Sequence, residues 1–129
     1  MIHDIEGHTV KIRPDLFGQS ALGGYYSVNW KTASAMSMWE GWGRRFQYSY
    51  LPSAGFYQLV YDRVFGPGTV TQIYPVVLCA PSEPPLIQVY TLSQQTAEFG
   101  VAMARQAIRA IGDAEIFGDW SHASEVAEL

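Results

Sequence analysis

The densest group of side chains able to hold a metal lies at the start of the chain, in His3-Asp4-Ile5-Glu6-Gly7-His8. On an extended backbone, side chains alternate sides, so Asp4, Glu6 and His8 share one face. Carboxylates with an imidazole suit zinc or manganese. The spacing matches no strong ligand motif, and a terminal segment offers little to hold ligands in place. No metal and no cofactor is expected.

A second stretch, Gly18-Gln19-Ser20-Ala21-Leu22-Gly23, comes close to the G-x-S-x-G nucleophile elbow. Its second glycine falls one residue late, and no strand–turn–helix pattern surrounds it. No lysine follows to make a phosphate loop. Gly23-Gly24 reads as turn chemistry.

A third group joins Trp39, Trp42, Arg44, Arg45, Phe46, Tyr48 and Tyr50. Arginines beside flat rings stack on bases or grip phosphates. The run GRRFQYSY fails the glycine and aromatic positions of an RNA-binding strand, however, and arginine commonly covers exposed rings. A net charge of −4, with Lys11 and Lys31 as the lysines, leaves no field to draw in a phosphate backbone. Nucleic-acid binding therefore ranks third among the readings.

His122 lies beside Asp119, Trp120 and Glu125, and Asp62 adjoins Arg63. A catalytic histidine needs an orienting group and a substrate proton within reach. Neither is identifiable at a fixed spacing, so no catalytic set is assigned. If the chain builds a pocket, its candidate polar groups are Arg45, Tyr57, Asp62, Arg63 and His122.

These residues need a scaffold, and 129 residues suffice for a single domain, 1–129, with its own core. Strands are expected at residues 10–13, 25–30, 45–51, 56–65, 69–80 and 86–92. In 45–51, Phe46, Tyr48 and Tyr50 alternate with Gln47 and Ser49, a period of two. Gly66-Pro67-Gly68 is a turn signal, so 56–65 and 69–80 are expected to pair antiparallel. Pro75 cannot donate to a ladder and marks an edge, a bulge or a break. Residues 32–42 read either as helix or as strand, with a lean to helix or irregular turn. Cys79 sits in the apolar run 76–80 and is expected to be a buried core residue.

The strongest element is an amphipathic helix at residues 93–111. Thr91-Leu92-Ser93-Gln94 fits a capping box, with Ser93 an alternative cap. Ala97, Val101, Ala104, Ile108 and Ile111 form one apolar stripe, and Gly112 supplies a stop. Residues 115–117 suggest a short strand, and the last residues a short C-terminal helix. The expected class is α+β: an antiparallel, curved β-sheet packed on one main amphipathic helix.

Composition then bears on function. Charged residues make up only 16% of the chain, against about 25% in average domains. Aromatics reach 14%, with four tryptophans and eight tyrosines. So little solvating surface implies that a partner, often a second copy, covers part of it. The first expectation is a non-catalytic structural or interaction protein, a self-associating homo-oligomer within a larger assembly such as a virion. Trp39, Trp42, Arg45, Tyr48 and Tyr50 are its interface candidates, since interfaces favour aromatics with arginine. The alternative is a small-ligand protein or small enzyme with an aromatic-lined pocket. The acidic N-terminus is no secretory signal, and no apolar run reaches membrane-spanning length. A cytoplasmic location follows by elimination, in the host cytoplasm for a viral protein, with no membrane partner.

Overall fold

The structure, a computed structural model, describes residues 1–34, 37, 39–80 and 84–120. An antiparallel hairpin, β1 (Ile2–Ile5) and β2 (His8–Lys11), opens the chain. Strands β3 (Leu16–Gln19), β4 (Tyr25–Val28) and β5 (Lys31–Ser34) follow. Two π-helical turns, Trp39–Gly43 and Phe46–Tyr50, lead into helix α1 (Leu51–Phe65). Strands β6 (Val70–Cys79) and β7 (Leu86–Thr91) and helix α2 (Gln94–Phe117) complete the described chain.

The class is α+β, as expected, with a mixed rather than wholly antiparallel sheet. β6 is its centre. β4 and β5 run parallel to it along one edge and β7 antiparallel along the other, while β3 pairs with β4. Parallel neighbours need a long crossover, and α1 provides it between β5 and β6. This is why residues 45–51 and 56–65 are helical and not strands. α1 lies between the sheet and α2 and buries residues on both sides: Ala54, Gln58 and Tyr61 toward the sheet, Gly55 and Leu59 toward α2. A helix buried on two faces shows no single apolar stripe. Its aromatic alternation was then the louder signal. Pro52 suits the first turn, where the missing N–H costs nothing.

β4 and β5 are one strand with an interruption. Val28 pairs with Ile73 and Lys31 with Val76 in an unbroken register, which sets Asn29 and Trp30 beside Tyr74 and Pro75. The Asn29 N–H still donates to Ile73 O at 3.0 Å. Pro75 has no N–H to return, so the ladder lapses at this point. β6 itself runs unbroken through Pro75, with neither edge, bulge nor break; the interruption falls on the neighbouring strand.

Ser93 caps α2, its Oγ accepting from the Thr96 N–H at 3.2 Å. The helix runs past Gly112 to a left-handed Gly118, φ 64°. Ala114 is buried, so docking carries the helix on where local signals favour a stop. Residues 115–117 are accordingly helix and not strand. The expected C-terminal helix falls outside the described residues, as do residues 35, 36 and 38 of the 32–42 segment, whose described ends are strand β5 and a π-helical turn. α2 packs on α1, and the β1–β2 hairpin caps the pair: Ile5, Leu59, Ala104 and Ile108 form one core cluster. Both helices therefore lie on one side of the sheet.

Candidate functional site

The N-terminal cluster is committed to structure. The β1–β2 turn places Glu6 under α2, where its Oε1 accepts from Arg105 at 3.2 Å and Arg109 at 3.3 Å. Asp4 accepts from the Thr9 hydroxyl at 3.0 Å, and His8 Nδ1 stands 4.0 Å from Glu115. Among the described residues, no group of three or more potential ligands is gathered for a metal.

A ladder of polar side chains joins α1 to β6. Tyr74 donates to Gln72 Oε1 at 2.7 Å, and Gln72 Nε2 donates to Gln58 Oε1 at 3.0 Å and to Ala54 O at 2.9 Å. Gln58 Nε2 passes the chain to Asp62 Oδ1 at 2.7 Å, which also accepts from the Gly68 N–H at 3.4 Å. Beside it, the Ser27 and Tyr61 hydroxyls share a short hydrogen bond. Burial pushes the Tyr61 phenol up to about 12, Ser27 offsetting part of the rise and Tyr57 adding to it. Burial also raises Tyr74, with smaller contributions from Tyr61 and Tyr57. These phenols stay neutral at physiological pH, poorly matched to proton transfer. Their hydrogen bonds instead fix the helix on the sheet.

An open groove of about 650 Å³ runs between β6 and α2 past Gln58, Asp62 and Gln72, with Leu92, Ala97 and Val101 as its apolar wall. It takes in one of the pocket candidates, Asp62. Tyr57 turns to the other side of α1 and donates to Arg13 O at 3.1 Å. Arg45 and Arg63 are exposed and do not line this groove; His122 falls outside the described residues. The groove's amides, Gln58 and Gln72, carry no signal in the sequence, since a buried glutamine looks like any polar residue until its partner is placed.

The interface candidates also separate. Trp42 is 4% exposed and packs on Phe46, Tyr50, Tyr74 and Tyr90, with ring centres 5.2–6.2 Å apart. It is core, because the π-helical turn carrying it folds inward over the sheet. Tyr50 is half-buried under Lys31, whose Nζ lies 4.8 Å from the ring centre. Trp39 and Arg45 are exposed, and the Tyr48 side chain is outside the described residues. Cys79 is exposed, contrary to expectation, because the alternation along β6 points it away from the helices.

That same alternation defines the most conspicuous surface. Ser27, Gln72, Tyr74, Val76 and Leu78 face the helices. Tyr26, Val28, Ile73, Pro75 and Val77 face the other way, in register with Leu16 on β3 and Ile87 and Val89 on β7. Trp30, next in the alternation, lies on the same side. No described helix or strand covers this face. Leu16 is 52% exposed, Trp30 59%, Ile87 63% and Val89 60%. None of its residues is charged. Apolar residues exposed together on one face mark interaction sites; Val28 and Pro75, which lie between them, are buried. The sequence held one hint of it: Leu86-Ile87-Gln88-Val89-Tyr90-Thr91 has apolar residues at both alternating positions and no charge.

No protein-family model and no curated protein matches this chain.

Proposed function

We propose that this protein is a non-catalytic, self-associating subunit whose copies cover each other's outer sheet face. One observation carries the reading: Leu16, Trp30, Ile87 and Val89 stand more than half exposed on a single uncharged sheet face that no described helix covers. A second copy is the occupant that fits. A face without charge meets itself across a two-fold axis with no like-charge repulsion, and sheets pack face to face through such side chains. The low charged fraction of the chain supports the same conclusion. No helix among the described residues is long and apolar enough to cross a membrane, so a bilayer-spanning role is not needed to explain the surface.

The test is the solution mass by light scattering coupled to size exclusion, over a concentration series. A defined oligomer that Trp30→Asp dissociates, with helical circular dichroism retained, is the expected result. A wild-type monomer at every concentration overturns it. The groove beside Asp62 supports a second reading, a site for a small polar ligand; a thermal-shift screen that moves the melting point of wild type but not of Asp62→Asn would favour that one.

A further inference from the structure

We infer that the free edge of β7 is a second contact between copies, one that joins face-to-face dimers into a larger assembly by pairing β7 with β7. The inference rests on the self-association proposed above and assigns it a second joint.

The backbone of β7 divides its polar groups by parity. Gln72 O accepts from the Leu92 N–H at 3.1 Å, and Tyr74, Val76 and Leu78 pair with Tyr90, Gln88 and Leu86. In a ladder, the N–H and C=O of one residue point to the same side and those of its neighbour to the other. The even-numbered residues of β7 therefore face β6. The N–H and C=O groups of Ile87, Val89 and Thr91 face outward and have no strand partner among the described residues.

Natural edge strands are guarded by charge, proline, bulges or brevity. β7 has none of these over Leu86–Thr91. Six residues of high β-propensity, uncharged and free of proline and glycine, are a strand-pairing template. The guard stands just outside it: Pro85 falls at an outward-facing position and has no N–H, so pairing ends at Ile87.

A second β7 fits this edge. Centred on Val89, an antiparallel pair sets Val89 against its own copy and Ile87 against Thr91, so every outward group of one strand meets an outward group of the other. No charged residue lies between Pro84 and Ala97, so nothing on the strand repels its copy. The joint lies in the plane of the sheet and the face contact lies perpendicular to it, so one subunit can make both at once. Two isologous contacts at different places on one subunit extend an assembly beyond a dimer. A six-residue edge buries well under the roughly 800 Å² per partner of a stable interface. The edge is therefore the weaker joint, one that links dimers.

Val89→Pro and Ile87→Pro each remove an outward N–H while sparing the ladder to β6. Wild type is expected to scatter as a species larger than a dimer, both proline variants as dimers, and Trp30→Asp as a monomer. Residue-level amide exchange on wild type gives a readout independent of any variant's folding: Ile87, Val89 and Thr91 gain protection as the assembly forms. A wild type that stops at a dimer, proline variants with unchanged mass, or unprotected amides in the assembly overturn the edge contact and leave the face contact standing. A monomeric wild type overturns the face contact, and the edge contact with it.

Discussion

Gly55 of α1 and Gly100 of α2 meet backbone to backbone: a β-carbon on Gly55 would overlap the Gly100 carbonyl oxygen, and one on Gly100 would lie 3.2 Å from the Gly55 α-carbon. The two helices approach this closely because neither has a side chain at the crossing. The approach brings Leu59, Ala104 and Ile108 together under the hairpin.

Gly55→Ala is therefore expected to destabilise the fold by at least about 2 kcal/mol, since backbone on a packed helix cannot step aside as a side chain can. The gain in helix propensity, about 1 kcal/mol, does not offset it. Gly112→Ala is the contrast. Its β-carbon would meet only the end of the His8 side chain, at 3.1 Å, which can shift. That variant should keep the propensity gain and stabilise by up to about 1 kcal/mol. Urea unfolding midpoints of the two variants check both signs.

Gln72→Leu keeps the volume of a buried residue and removes the centre of the polar ladder. It leaves the Tyr74 hydroxyl, Gln58 Oε1 and Ala54 O without the partners they have in the native fold. A loss of about 1–3 kcal/mol is expected, the cost of orphaned buried groups and not of one average hydrogen bond. Chemical denaturation measures it. A neutral outcome would mean that water replaces the glutamine.

Stability should fall on the alkaline side. Tyr61 titrates at about 12 in the folded protein and near 10 when unfolded, and Tyr74 is raised in the same direction. A raised folded value means that the unfolded chain gives up its proton first. The contribution is intact below about pH 10 and is lost as the pH climbs through the folded value. Unfolding free energies at rising pH should decline from about pH 10, and Tyr61→Phe should make that decline shallower.

Cys79 is expected to react with a thiol reagent in the native protein, without waiting for unfolding, because it is exposed at the end of β6. It shares the outer face with Val77 and Pro75. The proposed association should then slow labelling as protein concentration rises. A rate that is uniformly slow, and recovers only in denaturant, would place the thiol in the core.

Legibility in the sequence followed the range of the interaction. The start of α2 is a matter of one side chain and the amide three residues on, so Ser93 announced it. The turn at Gly66–Gly68 needs two positive φ angles, and glycine supplies both, at 98° and 73°. β6 and β7 read as strands because their residues suit a sheet. By themselves, then, the residues determined the α+β class, the main helix and the sharpest turn. The rest was decided by what each segment packs against. Residues 51–65 became a helix because parallel β4 and β6 need a crossover, and their pattern was blurred because they bury two faces at once. Trp42 went to the core and Cys79 to the surface according to which side of the sheet each faced. The Gln58–Gln72 ladder and the outer face that no described helix covers exist only once α1 has settled on one side of the sheet. Local hydrogen bonds and backbone angles are written residue by residue, whereas burial belongs to pairs of surfaces that meet only when the chain has folded.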